Sequence, residues 1–252
     1  MYKVVIIDDE PIIVEGLSRS IDWEAVHCYV AGTAYNGEEG LKLIRSEKPD
    51  MVFSDIRMPY MDGLSMIAAI KSEFPDIQIT ILTGYRDFDY AQKAIRLGVC
   101  RFLLKPSKMD EIMEALEAMT GKLNTNREKE PAEEGQAAEE EILDSTASSF
   151  VVNNAVAYIE EHYQEKLKLS DVADQVYVSQ WHLSKLMNRY LGQNFSEILN
   201  GIRIDKAKEL LKDPSLRIGD IADAVGFMDM AHFSRVFKKT VGISANEYRN
   251  HL

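Results

Sequence analysis

The chain has 252 residues and is 46% apolar, enough for two domains of ordinary size, and its two cysteines, Cys28 and Cys100, lie in apolar strand-like contexts that argue against a disulfide framework or a zinc site. Its net charge of −12 is unevenly spread: residues 1–120 carry 13 basic and 20 acidic side chains, residues 121–150 carry 3 and 8, and residues 151–252 carry 13 and 13. The acidic balance thus does not exclude nucleic acid binding by the last third, while the lack of a signal peptide and of any apolar run near the ~18 residues of a membrane span predicts a cytoplasmic protein with no membrane partner.

From Tyr2 to about Thr120 strands and helices alternate. Strands are predicted at Lys3–Ile7, Cys28–Thr33, Met51–Ser54, Ile77–Leu82 and Arg101–Leu104, in short Val/Ile/Leu-rich runs that suit parallel strands buried on both faces. Amphipathic segments near 11–20, 37–46, 63–73, 87–97 and 108–120 separate them, and Asn36-Gly37 marks a turn before the second. The alternation predicts a parallel sheet with right-handed crossovers. Residues 121–149 are polar and Glu-rich, with Pro131 and Gly135 as breakers, and read as a linker with a helical tendency at 136–144.

Residues 150–252 read as all-helical and contain an internal repeat. LSDVADQVYVSQWHLSKLMNRYLGQNFSEIL aligns with IGDIADAVGFMDMAHFSRVFKKTVGISANEYR. Asp171 matches Asp220, Ala173 matches Ala222 and Val176 matches Val225. After a one-residue insertion in the turn, Leu183 matches Phe233, Ser184 matches Ser234, Lys185 matches Arg235 and Gly192 matches Gly242. Each copy predicts a short helix, a turn and a longer helix, over about 170–176 and 179–190, then 219–225 and 229–240. On the longer helices Leu183, Leu186, Met187 and Tyr190 share one side, with Trp181, Ser184, Lys185, Asn188 and Arg189 opposite. In the second copy Phe233, Val236 and Phe237 face inward, and Ala231, Ser234, Arg235 and Lys238 outward. A basic residue mid-face on such a helix can read guanine in the major groove and neutralise phosphates.

In the first half, residues at the ends of the predicted strands carry matched chemistry. Asp8 and Asp9 follow VVII, Asp55 follows MVFS, Thr83 follows IQITIL and Lys105 follows CRFLL. In a parallel α/β sheet those ends share one edge, where ligands bind. Clustered carboxylates repel one another and call for a divalent cation, so Asp8, Asp9 and Asp55, with the backbone carbonyl of Arg57, form a candidate Mg²⁺ site. Asp55 is the candidate nucleophile, forming an acyl phosphate. Lys105, aimed by a turn at Pro106, would neutralise charge on the transferring group, and Thr83 would donate a hydrogen bond to it.

The stretches VVIIDDEP, MVFSDIRMPYMDGL, ITILTGYRDFDYAQKAIRLGV and FLLKP resemble the receiver domain of two-component response regulators. The resemblance covers residues 1–120. It implies a flavodoxin-like fold with strand order 2-1-3-4-5, a sensor histidine kinase as phosphoryl donor, and switch positions at Thr83 and Phe102. In that family, residues two past the phosphoacceptor and two past the threonine border the path of the hydrolytic water. Here these are Arg57 and Tyr85, neither suited to orienting that water. The repeat and its connecting stretch RIDKAKELL resemble the AraC-type DNA-binding domain, residues 150–252. That resemblance implies two recognition helices entering successive major grooves, with base-facing positions at Trp181, Ser184 and Lys185, then Ala231, His232 and Arg235. The chain departs from the family in having Ala245 where proline is usual, and Met228, Met230 and Ala231 where small polar residues are common.

The expected protein is a transcription regulator and not an enzyme in the usual sense. Its expected partners are a sensor histidine kinase, double-stranded promoter DNA, RNA polymerase and, on phosphorylation, a second copy of itself. Two other readings are an aspartyl-phosphate phosphatase or phosphotransferase and a protein-binding signalling scaffold. The first requires an acidic residue two positions after the nucleophile, where this chain has Arg57.

Overall fold

The computed structural model of the chain describes residues 1–84, 87–129 and 146–251. It divides into two compact units, Met1–Val151 and Val152–Leu252.

The first unit has five strands in one parallel sheet: β1 (Tyr2–Ile7), β2 (Cys28–Ala34), β3 (Met51–Ser54), β4 (Gln78–Thr83) and β5 (Arg101–Leu104). Their order is β2-β1-β3-β4-β5, the flavodoxin-like arrangement. Helices α1 (Pro11–Ser20), α2 (Gly37–Glu47), α3 (Gly63–Glu73), α4 (Phe88–Arg96) and α5 (Met109–Lys129) alternate with the strands. Local chemistry starts several of them. Pro11 opens α1, the Asn36 side chain accepts from the Glu39 amide at α2, and Asp62 accepts from the Leu64 and Ser65 amides at α3.

β1, β3 and β4 are buried along almost their whole length, as expected of strands covered on both faces. β2 and β5 are not: their middle residues are half-buried or exposed, because both lie at the sheet's edges. α5 also differs from expectation, running to Lys129 and not ending near 120. Ile112, Leu116, Met119 and Leu123 lie four, three and four residues apart on one face, and all four join the core with Val4, Ile6, Phe53 and Trp23. Leu123 therefore draws the polar stretch after Thr120 into the helix. Asn126 adds a hydrogen bond to Asp76 at 3.1 Å. The predicted helical tendency at 136–144 lies outside the described residues.

α6 (Thr146–His162) begins inside the predicted linker, and the division between the units falls within it. The second unit continues with α7 (Leu169–Gln175), α8 (Gln180–Leu191), α9 (Phe195–Leu210), α10 (Ile218–Ala224), α11 (Met230–Val241) and α12 (Ala245–Asn250). α7 with α8 and α10 with α11 are two helix-turn-helix units, and α9 connects them. Gly192 and Gly242, in the left-handed region at φ 64° and 91°, close α8 and α11 at matching places. Ala245 is the first residue of α12, after the cap Ser244, a position that accepts alanine as readily as proline. Buried Phe233, Phe237, Phe227, Ile204 and Ile221 form the core of the second half of this unit. Among the described residues no helix is long and apolar enough to cross a membrane.

Candidate functional site

Sheet register brings the predicted receiver residues to one edge. Ile7 pairs with Ser54, so Asp8 and Asp55 leave adjacent strands side by side. Thr83 pairs with Leu104, and Lys105 is the next residue. Backbone pairing continues past these ends: the Asp55 amide donates to the Ile7 carbonyl at 2.9 Å and the Lys105 amide to the Thr83 carbonyl at 2.8 Å. The Lys105–Pro106 peptide is cis.

Asp8 and Asp55 are buried and Asp9 is exposed, and one carboxylate oxygen of each lies within 4.8 Å of the others. The Lys105 ammonium bridges the buried pair, 2.7 Å from Asp8 Oδ2 and 2.8 Å from Asp55 Oδ2. It also reaches Glu10 Oε1 at 3.1 Å. The other oxygen of Asp55 accepts from the backbone amides of Ile56 at 2.5 Å and Arg57 at 3.4 Å. Burial raises the Asp8 carboxyl above its ordinary pKa, against the opposing pull of Lys105 and the Glu10 amide. Desolvation works to lower the Lys105 pKa, but hydrogen bonds and charge from Asp55 and Asp8 outweigh it and hold it above its ordinary value. Three carboxylates contact this one ammonium and Asp9 lies beside two of them, which leaves the cluster negative. Its ligands are all hard oxygens, so the donor set fits a divalent cation such as Mg²⁺.

Thr83 is fully buried at the end of β4, and Phe102 is half-buried on β5. Arg57 is exposed, and Tyr85 lies outside the described residues. Two contributors were not anticipated. Glu10 directly follows the aspartate pair in the sequence and could have been suspected as a further acid. Gly63 gave no signal beyond a turn-like Asp-Gly. A Cβ there would lie 2.2 Å from the Asp55 carbonyl oxygen, so only glycine lets α3 begin this close to the site.

In the second unit, Leu183, Leu186 and Met187 of α8 are buried, as are Phe233 and Phe237 of α11. The opposite faces are open: Trp181 is 65% exposed, Asn188, Arg189, Ala231, His232, Arg235 and Lys238 are exposed, and Ser184 and Lys185 are half-buried. The Lys185 ammonium sits 4.3 Å from the centroid of the Trp181 ring. Asn188 donates to the Ser184 carbonyl at 2.9 Å, and Arg235 Nε donates to the Ala231 carbonyl at 3.3 Å. His232 packs edge-on against Phe227 with ring centroids 5.4 Å apart, whereas His182, at the same place in the first copy, is buried. Buried Arg203 of α9 was not anticipated. It donates to the Tyr163 and Glu165 carbonyls at 2.7 and 2.8 Å and lies 5.5 Å from the Phe227 ring, tying α9 to the segment before α7.

Comparison with known proteins bears on both units. A family model described as a response regulator receiver domain matches residues 4–117, and one described as a helix-turn-helix domain matches residues 172–251. An uncharacterized response regulatory protein of Staphylococcus epidermidis is 33% identical over 253 residues, covering 98% of each chain. The transcriptional regulatory protein HptR of Staphylococcus aureus is 34% identical over 254 residues, again covering 98% of each. Among solved structures, the receiver domain of AraT, a response regulator from Geobacillus stearothermophilus, is 40% identical and covers 50% of this chain and 98% of that one, with a TM-score of 0.48. The C-terminal domain of AraT is 39% identical and covers 40% and 85%, with a TM-score of 0.39.

Proposed function

Because this chain belongs to the response regulators, with a receiver domain followed by an AraC-type helix-turn-helix domain, we propose that Asp55 is the phosphoacceptor through which a sensor histidine kinase controls its binding to DNA. The chain is a phosphorylation-controlled transcriptional regulator. The observation that carries the assignment of Asp55 is the Lys105 ammonium held between Asp8 and Asp55 beside a third carboxylate.

Asp55 Oδ2 is the attacking oxygen. It forms a bond to phosphorus as the donor's phosphorus–nitrogen bond breaks, and the imidazole leaves with the electron pair. The Ile56 and Arg57 amides hold Oδ1 and fix the carboxylate plane, so the attacking oxygen is aimed before the donor arrives. Lys105 counters the charge gathering on the phosphoryl oxygens. Asp8, Asp9, Asp55 and the Arg57 carbonyl would hold Mg²⁺, which when bound supplies charge neutralisation for the incoming phosphoryl group. Thr83, buried at the same sheet edge, would donate to a phosphoryl oxygen, and Phe102 is the aromatic that repacks with it.

The receiver works as a switch and not as a turnover enzyme. Arg57 stands where an aspartyl-phosphate hydrolase needs its second acid, and it is exposed. In the second unit α8 and α11 are the recognition helices. Trp181, Ser184, Lys185, Asn188 and Arg189 form the first contact surface, and Ala231, His232, Arg235 and Lys238 the second. Phosphorylation favours a homodimer on promoter DNA, where RNA polymerase is the further partner, and the protein acts in the cytoplasm. The test is Asp55→Ala. It should abolish Mg²⁺-dependent labelling by a small phosphodonor, since no other acidic residue ends β3. Undiminished labelling would mean that the nucleophile is elsewhere.

A further inference from the structure

The two helix-turn-helix units are repeats, yet the starts of their recognition helices differ in chemistry. Val176, Tyr177 and Val178 align with Val225, Gly226 and Phe227, and both turns carry a left-handed residue at the same place, Tyr177 at φ 60° and Gly226 at φ 88°. The first turn then goes straight to the cap Ser179, whereas the second inserts Met228 before the cap Asp229. Phe227, like Val178, fills the core, and the inserted Met228 stands 83% exposed. Met230 follows at 45%, and Ala231 is exposed beside it. Among the described residues of this unit, the large apolar side chains so exposed are Trp181, Leu191, Met228 and Met230, and all but Leu191 lie at these two helix starts. Large apolar side chains gathered at these two helix starts are not the scatter expected of ordinary surface.

The polar alternatives are weaker in the second unit. In the first, a cation lies over the apolar ring, Lys185 on Trp181. In the second, Ala231 occupies the ring's place. The amides of Ala231 and His232 both donate to the Asp229 carboxylate at 3.0 Å, so the cap already takes these donors. Beside the exposed His232 ring and the capping Asp229 carboxylate, the start of α11 presents thioether and methyl surface. It is continuous with the exposed cations Arg235, Lys238 and Lys239 on the same helix, which suits a polyanion whose groove presents apolar groups. In the major groove the group of that kind is the C5-methyl of thymine.

Resting on the DNA-binding reading above, we propose that the second unit reads thymine methyl groups through Met228, Met230 and Ala231. The two half-elements read by one subunit are then chemically unlike, with a thymine-rich element under α11, and each subunit binds in one fixed direction.

The test uses the full-length chain and a random duplex library. Bound duplexes are selected, and the best is remade with deoxyuracil for thymine, which removes only the methyl. The element under α11 is the one whose protection Arg235→Ala loses. Each contacted methyl removed there should weaken binding by about 4-fold, the equivalent of one buried methylene. A Met228→Ser/Met230→Ser double variant, altered only at exposed positions, should bind more weakly but lose most of its sensitivity to deoxyuracil. Wild-type binding indifferent to deoxyuracil would overturn the proposal and leave DNA binding standing. If the Met variants also lost polymerase-dependent transcription at unchanged DNA affinity, the patch would belong to a protein contact. A library with no enriched duplex would overturn both readings.

Discussion

Replacing Gly63 with alanine isolates one backbone contact made to Asp55, the proposed phosphoacceptor. The new Cβ would lie 2.2 Å from the Asp55 carbonyl oxygen and 2.8 Å from Ile56 Cα, and both neighbours are main chain. Relief requires about 1 Å of movement by α3 or by the segment carrying Asp55, judged against ordinary contact distances of about 3.5 Å. The movement also strains the 2.7 Å hydrogen bond from the Gly63 amide to the Ile56 carbonyl. Overpacking of this kind costs about 1–3 kcal/mol. At Gly121, within α5, an added Cβ meets nothing within 4 Å, and alanine there should stabilise by about 0.5–1 kcal/mol through helix propensity alone. The two Gly→Ala variants should therefore move in opposite directions. Urea unfolding followed at buried Trp23, in a Trp181→Phe background, reads the first unit. Labelling by a small phosphodonor should fall by about 100-fold in Gly63→Ala, the scale of a 1 Å misplacement of a reacting group. If Gly63→Ala unfolds like Gly121→Ala and is labelled at the wild-type rate, the close approach at Asp55 does not constrain the site.

On the DNA side, Lys185→Ala and Arg235→Ala should each weaken specific binding by about 1–3 kcal/mol, with Lys168→Ala, outside the recognition helices, costing less. Footprinting should find two contacted elements about one helical turn apart per subunit, and protection of a single major groove would contradict paired recognition. The phosphorylated state should be long-lived, and Arg57→Asn with Tyr85→Glu should shorten it. Equal rates of phosphate loss from labelled wild type and double variant would clear these side chains of that role. Lys71 is buried and donates to the Pro75 carbonyl at 3.0 Å, and burial, with Lys122, lowers its pKa to about 8. An unfolded lysine titrates near 10.5, so between about pH 8 and 10.5 the native chain binds fewer protons than the unfolded one, and this group favours folding increasingly as pH rises. Lys71→Met should be the more stable form at pH 7, its advantage shrinking by up to about 3 kcal/mol by pH 10, and a pH-independent difference would count against the buried ammonium.

Much of this site was legible because each group ends an apolar run. Asp8, Asp55, Thr83 and Lys105 stand where strands stop, and a parallel sheet collects such ends on one edge. What escaped depends on contacts that composition does not express. The Glu10 carboxylate joins the site because Lys105, 95 residues later, reaches it. The end of α5 was hidden because Leu123 is a lone apolar residue in a polar stretch, yet it continues the spacing of Ile112, Leu116 and Met119. The need for glycine at 63 arises from the path of another segment's backbone.

The repeated units show where such reading stops and why. Positions that match between the copies, such as Ala173 with Ala222, Val176 with Val225 and Leu183 with Phe233, are buried in both, because two copies of one supersecondary unit impose the same packing. Val178 and Phe227 differ and still meet that demand, whereas Met228, the added residue, is released from it. His182 is buried and His232 is exposed against Phe227, although both are histidine, because Phe227 replaces Val178 and Met228 lengthens the turn before α11. A residue added to a tight turn without a core to fill has one direction left, outward. The parts of residues 227–232 that differ from 178–182 and reach solvent are Met228, Met230, Ala231 and His232, on the face that the proposed recognition helix would turn to DNA. The proposed discrimination between half-elements rests on these exposed positions, since matched positions such as Ala173 with Ala222 and Val176 with Val225 are buried in both copies.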